Sequence, residues 1–139
     1  MEKRYMYLIS RAGGTLKNYL QNELRMSGIT LSIGQMGILF LLKIRDNQTM
    51  SELSSALDTD NGAMTRLVDR LEKSGYVKRI PNPDDRRQYR VSITSEGRDA
   101  IAAAGTIVHR TNDAIRSGFT DQEMEVFSRV LVTITEKFR

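Results

Sequence analysis

Two short runs of alternating apolar residues, Tyr76–Ile80 and Tyr89–Ile93, flank a turn-rich tip that holds Asn82, Pro83, Asp84 and Asp85. Alternation on both sides of such a tip predicts a β-hairpin. The rest of the chain repeats at three- and four-residue steps, so any fold must enclose one hairpin among helices. The hairpin also carries Lys78, Arg79, Arg86, Arg87 and Arg90. A thin basic ribbon either reaches along a nucleic-acid duplex or merely keeps a surface hairpin soluble. Charge alone leaves both readings open.

The chain has 139 residues, one domain's worth with a core of its own. It has no cysteine, which excludes disulfides, thiolate metal sites and thiol redox sensing. The single histidine, His109, offers no cluster for zinc and reads as a plain surface or interface residue. Neither a metal nor a cofactor is expected. The opening MEKRYMYLIS lacks the apolar stretch and cleavage site of a signal peptide. The longest apolar run, Ile38–Leu42, falls far short of the ~18 residues of a membrane span. A cytoplasmic protein with no membrane contact is the expectation. The net charge of +4 and pI near 9.6 permit an anionic partner without demanding one.

Tyr5, Leu8, Ile9, Ala12, Leu16, Tyr19, Leu20 and Leu24 predict a first amphipathic helix ending near Ser27–Gly28. Gly13–Gly14 lies inside it and implies either a kink or, preferably, another backbone packed close by. Capping boxes mark later helix starts: Ser32 with Gln35, Thr49 with Glu52, and Thr120 with Glu123. Asp60 is a further N-cap with half a box, because its third residue is Ala63. The helix it opens carries Met64, Leu67, Val68 and Leu71 inward and stops at Gly75. After the hairpin, Thr94 caps a long helix with Ile101, Ala104, Val108 and Ile115 on one side. The last helix bears a seam of Met124, Phe127, Leu131, Ile134 and Phe138.

The fold class is therefore mainly α with a small β-hairpin wing. Thr49 to Ile93 reads as a winged helix–turn–helix, in which the second helix enters the major groove and the wing reaches phosphates or the minor groove. With its apolar stripe turned inward, the Asp60–Ser74 helix shows Asn61, Ala63, Thr65, Arg66 and Arg70 outward. Arg66 suits a guanine edge, Asn61 an adenine, and Thr65 a phosphate or a thymine methyl. The competing reading for Arg66 and Arg70 is a solvated face on which Asp69 and Glu72 pair with them; it is preferred for Arg70.

These residues also carry a resemblance. Asp85-x-Arg87, five residues, then Ile93-Thr94-x-x-Gly97 resembles the D-x-R-x5-L-T-x-x-G signature of the multiple antibiotic resistance regulator (MarR) family. MTRLVDRLEKSGYVKR (64–79) is similar to that family's recognition helix and first wing strand, and Leu31-Ser32-x-x-Gln35 to its L-T-x-x-Q start of helix two. Ile93 departs from the usual leucine. The resemblance implies a single domain over residues 1–139, with a winged lobe at about 46–95 and dimerisation helices at about 1–30 and 96–139. It implies a homodimer on a pseudo-palindromic double-stranded operator, acting as a repressor. Within the wing it implies an Asp85–Arg87 ion pair that keeps the ribbon in shape, with Arg86 reaching the minor groove and Arg87 beside it at the DNA. Val77, Tyr89, Val91 and Ile93 are expected to anchor the ribbon.

Family members often sense small anionic aromatics in a cleft between dimer body and lobe. Arg11 offers a cation for such an effector, with Met36 and Phe40 as an apolar wall. The preferred reading of the same residues is plainer: a surface or interdimer ion-pair arginine at Arg11, and ordinary core at Met36 and Phe40. An enzyme is disfavoured: no nucleophile–base pair or phosphate-cradling glycine loop is present, and Asp84–Asp85 lies on a wing tip. A winged helix used to dock protein, or a DNA-binding regulator without an effector, is the alternative.

Overall fold

The computed structural model describes residues 4–139. In order, its elements are α1 (Tyr5–Met26), α2 (Ile33–Ile44), β1 (Gln48–Thr49), α3 (Met50–Ala56), α4 (Asn61–Lys73), β2 (Val77–Asn82), β3 (Asp85–Ile93), α5 (Ser95–Arg116) and α6 (Asp121–Lys137). The chain divides into two compact units, one up to Ile107 and one from Val108 onward, with α5 running across the boundary.

Side-chain caps set the helix starts. Ser32 Oγ accepts the Gln35 N–H at 3.2 Å while Gln35 Oε1 accepts the Ser32 N–H at 2.8 Å. The same reciprocal pairing joins Thr49 to Glu52 and Thr120 to Glu123. Each box satisfies backbone donors that the first helical turn leaves over. At Thr120, the backbone N–H and then the hydroxyl hold the Glu123 carboxyl below the usual carboxylate range. Asp60 Oδ1 accepts the Ala63 N–H at 2.8 Å, the expected half box. Gly75, at φ +81°, takes the left-handed conformation that ends α4.

In the first unit, α2 is apolar around most of its circumference and supplies Ile38, Leu39 and Leu42 to the core. Leu53 from α3, Met64, Val68 and Leu71 from α4, and Val77 and Val91 from the ribbon complete it, all fully buried. The sheet has three strands in the order β1-β3-β2. Sequence reading gives no hint of β1, a strand of two residues. Asn47, at φ +56°, turns the chain so that Gln48 and Thr49 pair antiparallel with Val91 and Arg90. The Gln48 amide then donates to the carbonyls of Leu41 (3.1 Å) and Arg45 (2.7 Å), which closes the end of α2. Beside it, Asp46 accepts the Ile93 N–H at 2.9 Å and the Ser92 hydroxyl at 3.1 Å, fastening the root of the ribbon. Pro81 is accommodated because β2 is an edge strand.

Three expectations change. Val77, Val91 and Ile93 anchor the ribbon, but Tyr89 is 48% exposed. Tyr89 stands level with Pro81 on the outer half of the ribbon, where Asp85 to Tyr89 are all exposed. Second, α1 passes through Gly13–Gly14 as unbroken helix, and a Cβ at either glycine would meet nothing within 4 Å. No close packing among the described residues explains that pair. Third, Ala63 of α4 is half-buried rather than outward.

Much apolar surface stays uncovered. Of α1, only Leu24 is buried; Tyr5, Leu8, Ile9, Leu16 and Tyr19 are exposed. In the second unit α6 buries no residue, leaving Phe127, Leu131 and Phe138 exposed and Met124 and Ile134 half-buried. His109 is a surface residue, its Nε2 3.5 Å from Asp113 Oδ2 one turn along. Among the described residues no helix is long and apolar enough to cross a membrane.

Candidate nucleic-acid interface

The α3–α4 connection is short because its two ends are tied together. Thr59 donates its N–H to the Ser54 carbonyl (3.0 Å) and its hydroxyl to Leu57 (3.1 Å), and Asp58 adopts a left-handed φ of +49°. Asp60 then caps α4, whose inward stripe is Met64, Val68 and Leu71 with Leu67 half-buried. Periodicity leaves Asn61, Thr65, Arg66, Asp69, Arg70 and Lys73 exposed on one outer surface. A shallow polar cleft opens at the start of this helix, lined by Ser51, Ser54 and Ser55 of α3 together with Asp60 and Asn61. Sequence reasoning did not find the cleft, because it arises from the approach of α3 to α4.

The arginines sort into two groups. Arg79 of β2 reaches back to α4: its Nη1 donates to Glu72 Oε1 at 2.7 Å, its Nη2 to Asp69 Oδ1, and its backbone N–H to Glu72 Oε2 at 3.1 Å. Partial burial works against the Arg79 charge, but bonding to Asp69 and the two nearby carboxylates outweigh it, so its pKa is raised. Arg90 sits 3.7 Å from Asp84 across the tip. Arg79 and Arg90 are thus structural cations. Arg66, Arg70, Arg86 and Arg87 are exposed, and no acidic partner meets their guanidinium groups among the described residues. The competing reading for Arg66 and Arg70 loses its acids, since Arg79 occupies both.

Thr65 is less free than its exposure implies. Its hydroxyl donates to the Asn61 carbonyl at 2.8 Å, so its methyl and oxygen lone pairs are what it can present. That favours a thymine methyl over a phosphate. At the tip, the residues Pro83 and Asp84 connect β2 to β3, and Asn82 Oδ1 accepts the Asp84 N–H at 3.0 Å. Asp85 shapes the wing differently from the expected ion pair. Its carboxylate accepts the backbone N–H of Arg87 at 3.0 Å, and the ion pair of the tip is Arg90–Asp84 instead. The Arg87 side chain is left unengaged.

The three effector candidates differ in exposure and contacts. Arg11 lies exposed with its guanidinium 3.4 Å from the Tyr7 hydroxyl on its own helix. Met36 belongs to the core, whereas Phe40, one turn along α2, is 55% exposed. No hydrogen bond, ion pair or ring contact among the described residues joins Arg11 to either.

Two short helices held at a tight turn, a basic ribbon after the second, and unpaired arginines on both define a winged helix–turn–helix module. The family model described as MarR matches residues 31–89. The multiple antibiotic resistance protein MarR of Salmonella typhimurium is 33% identical over 95 residues, covering 68% of this chain and 62% of that protein. The chain thus spans less than two thirds of that relative. The HTH-type transcriptional regulator BilQ of Clostridioides difficile is 25% identical over 119 residues, covering 84% and 78%. A mutant Escherichia coli MarR complexed with operator DNA superposes with a TM-score of 0.83 at 26% identity, covering 92% of this chain and 91% of that one. The chain belongs to the MarR family. Membership places it among winged-helix, DNA-binding transcriptional regulators, which are not enzymes.

Proposed function

We propose that the protein acts as a homodimeric repressor that binds a pseudo-palindromic operator. Each protomer lays α4 in a major groove, with half-sites about one helical turn (~34 Å) apart, and places its wing tip at the neighbouring minor groove. The observation that carries this is the division of the arginines. Those that hold the lobe together are paired, and Arg66, Arg70, Arg86 and Arg87 stand free on the reading helix and wing. Asn61 and Arg66 read base edges, Thr65 meets a thymine methyl, and Arg70 and Arg87 hold phosphates. Half-buried Ala63 lets the helix approach closely. Arg86 enters the minor groove, where a narrow A·T stretch concentrates negative potential. The relative solved with operator DNA supports this arrangement.

The uncovered apolar faces of α1 and α6 support a homodimer, because a second copy buries such surface at no cost in solubility. Repression follows from steric exclusion of polymerase. An anionic aromatic effector would act through a cleft completed by the dimer, with Arg11 and exposed Phe40 as its contacts and Met36 behind them in the core.

Binding to duplex DNA across a salt series tests the reading. Eight free arginines per dimer give a slope of log K on log salt approaching about −7 if all meet phosphates. A flat response would remove the repressor reading in favour of a protein-docking winged helix. Within that experiment, Arg86→Ala is expected to weaken binding by ~1–3 kcal/mol while the melting temperature stays put. If stability falls along with affinity, Arg86 belongs to the structure of the wing.

A further inference from the structure

Asp69 lies on α4 three residues after Arg66 and directly before Arg70. On a helix surface, residues three and four apart meet, so an unengaged Asp69 would pair with Arg66 or Lys73. Glu72, three residues beyond Asp69, would add a second carboxylate to the same surface. Two acids on the outer surface of a reading helix have two effects on DNA binding: they tie up its cations, and they repel phosphates. Neither occurs here, because one guanidinium from β2 takes both carboxylates. The guanidinium fork bridges Asp69 and Glu72, and the Arg79 backbone N–H adds a second hold on Glu72. The Arg79 side chain is itself only 23% exposed, so its charge is turned inward onto α4 and is not offered to solvent.

We propose that Arg79 is a positioning residue for DNA recognition, which keeps Asp69 and Glu72 engaged so that Arg66 remains free to meet DNA and neither acid is left to repel phosphates. The role rests on the DNA-binding reading above and adds a division within the basic ribbon: one of its arginines never touches the duplex. Without Arg79, Asp69 swings onto Arg66 and the reading helix loses a cation at the groove.

A mutant cycle tests this, using a fluorescein-labelled random-sequence duplex of about two helical turns and fluorescence anisotropy across a salt series. Four proteins are compared: the wild type, Arg79→Met, the double variant Asp69→Asn/Glu72→Gln, and the triple combination. Arg79→Met is expected to lose about tenfold in affinity and, with one cation lost from each protomer of the dimer, to flatten the salt slope by about two units. The double variant is expected to bind at least as tightly as the wild type, since its acids no longer need holding. In that background, adding Arg79→Met is expected to cost less than about threefold. Equal losses in both backgrounds, or a double variant that binds more weakly than wild type, would make Arg79 a structural strut and overturn the proposal. No loss on Arg79→Met would also overturn it. A wild type that ignores the duplex at every salt concentration fails the DNA-binding reading itself, and that failure is visible before any variant is compared.

Discussion

Replacing Gly97 with alanine is expected to lower the melting temperature by roughly 10 °C, the largest effect of any single methyl group added to this lobe. A Cβ at Gly97 would lie 2.2 Å from the Tyr76 carbonyl oxygen and 2.8 Å from Ile93 Cγ1. The carbonyl cannot step aside cheaply, because it accepts the Thr94 N–H at 3.0 Å. Thr94 is fixed in turn: its hydroxyl donates to the Gly75 carbonyl at 2.6 Å and accepts the Gly97 N–H at 3.0 Å. A methyl group at this position pushes α5 away from the end of α4 and the root of the wing together. Overpacking of this kind costs ~1–3 kcal/mol where side chains can yield and more where backbone must. Gly105→Ala on the same helix is the control, since nothing lies within 4 Å of its Cβ. That change should leave the melting temperature unchanged or raise it slightly. Equal melting of the Gly97 variant and wild type, followed by circular dichroism, would mean that α5 does not approach Tyr76 this closely.

Deleting residues 120–139 is expected to abolish dimerisation outright. The deletion removes α6, a helix with an apolar seam and no buried residue in the protomer. Phe127 is 47% exposed and Phe138 80% exposed. Side chains of this size contribute ~1.5–3 kcal/mol each when fully buried, so a partner that covers several supplies most of what a dimer requires. Sedimentation velocity reads the outcome. A shortened chain that still sediments as a stable dimer would place the interface elsewhere, with the exposed face of α1 as the next candidate.

Helices were the most legible part of the sequence, because their ends are marked by local chemistry. Ser32, Thr49 and Thr120 each find their partner three residues on, and Asp60 caps α4 unaided. Periodicity then told inside from outside on α4 with one exception, Ala63, whose small side chain carries little signal of its own. The ribbon was legible as a hairpin but not in its contacts. Alternation gives Tyr89, Val91 and Ile93 the same face, and only the position of the core along the strand separates exposed Tyr89 from buried Val91. The two residues of β1 show no period, and they pair because Asn47 turns the chain and Gln48 closes α2.

Charge was harder to read, for a physical reason. Local spacing proposes partners within a turn of one helix, so Asp69 and Glu72 are the competing partners for Arg66 and Arg70, preferred for Arg70 alone. The structure gives both to Arg79, up to ten residues away in sequence, because β2 runs back along α4. Asp85 was likewise expected to meet the Arg87 guanidinium and instead meets its backbone N–H. Residue type alone does not separate core from surface among the effector candidates either: Met36 is buried and Phe40 is not.

The fastening of the ribbon at one end gives it a gradient of local stability along its length. At the root, Val91, Ser92 and Ile93 are buried, paired with a third strand or bonded to Asp46, so opening there requires the whole lobe to unfold. Toward the tip, Asp85 to Tyr89 are exposed and share only the edge strand, so they can open alone. Amide hydrogen exchange along β3 reads this gradient directly. If the wing enters a groove as proposed, a ribbon stiff at its base and yielding at its end would follow grooves of different width while α4 keeps its seat.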